Sequence, residues 1–155
     1  MGQWSFLKKK LEELFCPELK VQFYANAYKI GRSSQPMVRY HLTLDSEVIW
    51  DFPKDFKEIR EKYDYHHFSS YQRISELVKE YVSIPSSKLL VWKYADNWFH
   101  DQRWCVEKRD QSVHLGLVEL FLACDRRLGK ERLLTWATQI EIPTVHEILN
   151  RRFHQ

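Results

Sequence analysis

The chain has 155 residues, of which 44% are hydrophobic and 15% aromatic, and its formal net charge is +3. This length and apolar content are typical of one globular domain with a real core, so we expect a single domain over residues 1–155. Four glycines and five prolines disfavour long disordered or linker segments. The basic residues are spread along the chain, so the charge does not favour a nucleic-acid binder.

The three cysteines, Cys16, Cys105 and Cys124, are odd in number and never stand at CxxC spacing. This pattern favours free thiols in a reducing cytosol over a disulfide framework. No apolar run approaches the roughly 20 residues of a membrane span, and the first residues lack a signal-peptide core. The sequence therefore predicts a cytoplasmic protein with no membrane partner.

The first third of the chain predicts a helix followed by strands. Apolar residues from Trp4 to Leu14 recur at spacings of three and four, which indicates a helix that Pro17 ends. Alternating apolar and polar residues then predict strands over 21–28, 38–44 and 48–50. Turn-forming residues separate them, at 31–36 and at Asp45-Ser46, so we expect an antiparallel meander.

The rest of the chain predicts mainly helices. The first is a short helix over 53–63, and an amphipathic helix follows from an N-cap at Ser69 or Ser70 to just before Pro85. A helix followed by irregular structure is expected over 88–108, and the next helix has Gly129 as its C-cap. Two more helices follow, one carrying Leu133–Ala137 and one starting near Pro143. The predicted fold class is α+β, with an N-terminal helix, a three-stranded antiparallel meander and a helical C-terminal half.

Several ordered motifs resemble a family of uncharacterised bacterial proteins. The opening Met1–Lys9 matches its Met-Gly-x-Trp-Ser-x-Leu-Lys start, and Cys16-Pro17 leads into a strand as in that family. Asp125–Leu133 resembles its Asp-Arg-Arg-x-Gly-Lys segment, with Glu131 where the family has a base. The resemblance covers both ends, while residues 92–104 look like additional material. It implies a bacterial cytosolic protein and no particular activity.

The residues that carry most chemistry form no recognisable catalytic or metal-binding pattern. The seven histidines lack HExxH spacing, no GxSxG elbow is present, and the glycines do not frame a phosphate-binding loop. We therefore expect no catalytic residue, no bound metal and no cofactor. A metal-dependent hydrolase or nuclease remains an alternative because four carboxylates and a lysine cluster in sequence: Asp51, Asp55, Glu58, Glu61 and Lys57.

Two groups of residues are candidates for binding a partner. Arg126, Arg127 and Lys130 could dock an acidic partner or a phosphate backbone, or could instead be cations at a helix C-terminus. The second group is the aromatic stretch over 92–104, in which Trp98 and Trp104 are the leading candidates. Half of these aromatic residues are expected in the core and half at an interface.

The favoured function is a non-enzymatic interaction protein that binds another protein or itself. Aromatic residues and arginine dominate the energy of protein interfaces, which supports this hypothesis. The alternative is a nucleic-acid-binding protein that uses the C-terminal basic helices, with weak binding expected, and the hydrolase or nuclease ranks third.

Overall fold

The computed structural model describes residues 3–28, 37–52, 72–91 and 108–153. The predicted α+β class is confirmed, with an N-terminal helix, a three-stranded antiparallel sheet and then helices. The described elements are α1 (Gln3–Glu13), β1 (Val21–Tyr28), β2 (Met37–Leu44), β3 (Glu47–Phe52), α2 (Gln72–Ser83), α3 (Lys108–Cys124), α4 (Lys130–Ala137) and α5 (Pro143–Phe153).

The sheet has the order β1-β2-β3, and both pairs are antiparallel. Phe23 lies opposite Leu42, which lies opposite Trp50, and all three side chains are buried. They share a face because strand side chains alternate with a period of two. Asp45 and Ser46 join β2 to β3 with φ values of 49° and 71°, the positive values that a tight two-residue hairpin turn requires.

Helix α1 ends earlier than the sequence predicts. Its last residue is Glu13, four residues before Pro17. The chain leaves the helix there because Phe15 forms an antiparallel bridge with Asp125. The amide of Arg126 donates to the Leu14 carbonyl at 2.7 Å within the same short pairing. A contact between distant segments therefore follows directly on the end of α1, ahead of Pro17.

Helix α3 forms the centre of the core. From Leu117 to Cys124 every side chain is buried except that of Glu119, which is half-buried. The Phe121 ring lies 5.6 Å from that of Phe23 on the sheet and 5.1 Å from that of Tyr81 on α2. A helix apolar on nearly all sides is typical of one enclosed by other elements.

The prediction that Gly129 ends a helix as its C-cap is wrong. Helix α3 ends at Cys124, and Gly129 is instead the N-cap of α4, with φ −86° and ψ 175°. The sequence predicts a longer helix because its apolar spacing extends to Leu128. This residue is buried although it lies in the turn between the two helices. Arg126 and Lys130 are therefore not neighbours on one helix.

Several predicted features lie outside the described residues. They are the helix over 53–63, the N-cap at Ser69 or Ser70, and the aromatic stretch from Trp92 to Trp104. Helix α2 confirms the amphipathic helix that follows the N-cap, and α4 and α5 confirm the last two predicted helices.

Candidate functional site

Asp125 is the centre of a polar network inside the protein. Its side chain is fully buried, one residue beyond the end of α3. The Tyr81 hydroxyl donates to Oδ2 at 2.6 Å. The Arg127 guanidinium binds both oxygens, from Nε to Oδ1 at 3.0 Å and from Nη2 to Oδ2 at 2.7 Å. The Arg127 amide also donates to Oδ1 at 2.9 Å, so both oxygens of the buried carboxylate are satisfied.

This network changes the acid–base properties of its members. Burial raises the pKa of Tyr81 well above its ordinary value, and the neighbouring Asp125 carboxylate raises it further. The hydrogen bonds to Asp125 raise the pKa of Arg127, because they favour its charged form. Tyr81 therefore remains a neutral hydrogen-bond donor and Arg127 a cation over the physiological pH range.

The neighbouring arginines donate to main-chain carbonyls at the ends of other helices. Arg126 Nε donates to the carbonyl of Glu13, the last residue of α1, at 2.7 Å. Arg127 Nη1 donates to the Ile84 carbonyl, just beyond α2, at 2.8 Å. Arg152 of α5 donates to the carbonyls of Ala123 at 2.7 Å and Leu128 at 3.0 Å.

These contacts join the C-terminal ends of α1, α2 and α3 in one place, which we call the arginine junction (Asp125, Arg126, Arg127 and Arg152 with their carbonyl partners). The last carbonyls of a helix have no partner within it and carry partial negative charge. Guanidinium groups supply both the missing donors and the opposite charge. Arg126 and Arg127 were predicted as alternative cations at the C-terminus of their own helix, but they lie beyond the end of α3 and donate at the ends of α1 and α2 instead.

The predicted binding residues fall in different places. Arg126 is exposed, although its Nε donates a hydrogen bond to the Glu13 carbonyl at the end of α1. Arg127 is half-buried in the junction. Lys130 is exposed at the first residue of α4. Trp98 and Trp104 lie outside the described residues. Whether these five residues bind a partner stays a prediction.

Sequence reasoning missed Tyr81, Arg152 and Glu119. Tyr81 and Arg152 looked like ordinary members of amphipathic helices, and only the tertiary structure brings them to Asp125 and to the end of α3. Glu119 had a readable signal, because it is the one charged residue between Leu117 and Cys124. Burial raises its pKa to about 7, and no described residue contacts its carboxylate through an ion pair or a hydrogen bond.

A family model described as the SF0329 protein family matches residues 3–153. The chain belongs to the SF0329 protein family. The match spans both the arginine junction and residues 92–104, and it agrees with the expected membership of an uncharacterised family. No curated protein and no solved structure matches the chain.

The described ranges contain neither a cluster of metal ligands nor a membrane-spanning helix. No group of three or more histidine, cysteine, aspartate or glutamate residues within these ranges is arranged to hold a metal ion. Of the acidic cluster from Asp51 to Glu61, the structure describes Asp51 alone. None of the described helices is both long enough and apolar enough to cross a bilayer.

Proposed function

We propose that this protein is a bacterial, cytoplasmic, non-enzymatic interaction protein that binds another protein or a second copy of itself. The proposed interface is the aromatic stretch over residues 92–104, with Trp98 and Trp104 as its anchors. Aromatic side chains carry a large share of the binding energy at protein interfaces, which is the physical basis of the proposal.

The distribution of the six tryptophans supports this proposal most directly. Trp50 is buried on the inner face of the sheet. Trp4 packs edge-to-face against Phe23 at 5.5 Å and Tyr40 at 5.6 Å, and Trp136 packs against the core from α4. The core thus accounts for three tryptophans, while Trp92, Trp98 and Trp104 fall within 13 consecutive residues of the proposed interface.

The arginine junction favours a protein partner over nucleic acid. Phosphate binding needs guanidinium groups that are free to face a polyanion. Arg127 and Arg152 are committed to Asp125 and to main-chain carbonyls, and Arg126 makes one such contact. The exposed Lys130 and the exposed part of Arg126 stay candidates for contact with an acidic partner.

Sedimentation velocity over a range of concentrations tests self-association. Affinity capture from the native host tests whether the partner is a different protein. We expect Trp98→Ala and Trp104→Ala to weaken association at least about 30-fold, which corresponds to roughly 2 kcal/mol. Both variants should retain the melting temperature of the wild type. Trp50→Ala is the matched control, because truncating a buried tryptophan should cost about 3–5 kcal/mol of stability.

Two results would contradict the proposal. One is unchanged association, with itself and with every captured protein, in both tryptophan variants. The other is a loss of about 3 kcal/mol of stability in both, which would make these tryptophans part of the core. Tight binding of single-stranded or duplex DNA that persists at 200 mM salt would favour the nucleic-acid alternative instead.

A further inference from the structure

Cys16 and Cys124 are joined by a main-chain hydrogen bond beside the bridge that links the end of α1 to the end of α3. Phe15 and Asp125 are the bridge partners and run antiparallel, so the next pair along is Cys16 with Cys124. The amide of Cys16 donates to the carbonyl of Cys124 at 2.9 Å, which fixes this register. Both cysteines are free thiols in the described structure.

The separation of the two backbones suits a disulfide. Cys124 is the last residue of α3 and the bridge is isolated, so the closeness of the two cysteines rests on their main-chain hydrogen bond. Residues joined in this way have Cα atoms about 5.5 Å apart, and disulfides need about 4.4–6.8 Å. The two thiols are also near enough for the charge of Cys16 to raise the pKa of Cys124. Both cysteines belong to the same buried core cluster, with 6% of Cys16 and 0% of Cys124 exposed.

We propose that Cys16 and Cys124 form a reversible intramolecular disulfide that locks the end of α1 to the end of α3. The bond would close a loop over residues 17–123 and would lie beside the arginine junction. The proposal does not depend on the interface at residues 92–104. Its chemistry requires an oxidant, for which a low-molecular-weight disulfide such as oxidised glutathione is sufficient.

The reaction is an ordinary thiol–disulfide exchange. The Cys16 thiolate, the less buried of the two, attacks one sulfur of oxidised glutathione, so that a mixed disulfide forms and one glutathione leaves. The Cys124 thiolate then attacks the Cys16 sulfur and releases the second glutathione. Two protein thiols and one oxidised glutathione thus become one protein disulfide and two reduced glutathiones.

The surroundings make this pair slow to react in the closed structure. Burial raises the pKa of both thiols, while the positive charge of Arg152 lowers it. Because the thiolate is the reactive form, closure should follow local opening of the bridge. The pair should therefore respond to sustained oxidation rather than act as a fast catalyst.

Refolding in a glutathione redox buffer tests the proposal, because both thiols are accessible to the oxidant before the chain folds. The chain is unfolded, refolded with reduced and oxidised glutathione, blocked with N-ethylmaleimide and mapped by non-reducing peptide mass spectrometry. Of the three possible pairings, we expect Cys16–Cys124 to dominate. The oxidised monomer should melt at least about 5 °C above the reduced one, and dithiothreitol should reverse the shift.

Cys105→Ser and Cys16→Ala are the matched variants. Cys105→Ser should keep the oxidative rise in melting temperature, and Cys16→Ala should lose it. Pairing mainly through Cys105, persistence of glutathione adducts on Cys16, or a Cys16–Cys124 bond that lowers the melting temperature would each overturn the proposal.

Discussion

Asp125 is a fully buried carboxylate whose charge is balanced by Arg127 and hydrogen-bonded by Tyr81. Asp125→Asn keeps the shape and removes the charge, so it leaves the Arg127 guanidinium without its counter-ion. Breaking a buried pair from one side costs about 3–5 kcal/mol, and we expect a loss of at least about 3 kcal/mol in the free energy of unfolding. Urea denaturation measures it.

Asp45→Asn is the matched control for this prediction. Asp45 pairs with Lys20 at 3.9 Å, but both side chains are more than half exposed. An exposed ion pair contributes at most about 1 kcal/mol. Equal effects of the two substitutions would contradict the role given to Asp125.

The raised pKa of Glu119 should make the stability of the protein depend on pH. Its pKa is raised from 4.5 to about 7 by burial. Between these values the folded protein holds a proton that the unfolded chain has released, so the contribution of Glu119 to stability is fully present below pH 4.5 and is lost as the pH rises through 7. Glu119→Gln removes this loss. We expect the change in unfolding free energy caused by the substitution to be more favourable at pH 8 than at pH 5 by on the order of 1 kcal/mol, after allowing for solvent screening.

Chemical denaturation at pH 5 and pH 8 measures this difference. Glu13→Gln is the control, because it replaces an exposed carboxylate, and surface substitutions usually change stability by about 0.5 kcal/mol or less. A Glu119→Gln variant that is less stable than the wild type at pH 8 would mean that the carboxylate is needed in its charged form.

At the scale of elements, α1 covers the outer edge of β1. Glu12 Oε2 accepts a hydrogen bond from the Phe23 amide at 2.8 Å, a group that β2 does not reach because β1 is the edge strand. On the two sides of this contact, Trp4 packs on the Phe23 ring and Lys8 Nζ lies 4.5 Å from the Tyr24 ring centroid. Covering an edge in this way protects a sheet from pairing with other chains.

Glu12→Ala should therefore destabilise the protein and expose the edge. Loss of a charged acceptor for a main-chain amide costs about 1.5–3 kcal/mol, and we expect a decrease within that range together with faster aggregation on heating. Urea denaturation and light scattering measure the two effects. Glu13→Ala removes a neighbouring exposed carboxylate, so indistinguishable results for the two variants would exclude the edge contact as the cause.

Local patterns predicted elements well where neighbours in sequence decide the structure. The period of two gave the three strands, and Asp45-Ser46 gave the turn, because both signals are local. The end of α1 and the role of Gly129 were predicted wrongly, since the Phe15–Asp125 bridge and the turn after Cys124 depend on contacts between distant segments.

At the scale of the whole molecule, the arginine junction could not be predicted from the sequence. Its members come from both halves of the chain, and Tyr81 and Arg152 are joined to Asp125 only through tertiary packing. Asp125 directly follows a strongly apolar helix, where a buried charge requires a partner. Arg126 and Arg127 were candidates for binding a partner or for cations at a helix C-terminus, but nothing in the sequence indicates which carbonyls they bind.

We propose that binding falls in residues 92–104, because the three tryptophans of the described ranges pack in or against the core. Hydrogen–deuterium exchange with mass spectrometry tests this assignment most directly, comparing the dilute chain with the associated or partner-bound protein. We predict that added protection falls in peptides covering residues 92–104 and is lost in Trp98→Ala. Added protection confined to the sheet or to residues 117–132, with none in 92–104, would contradict the account.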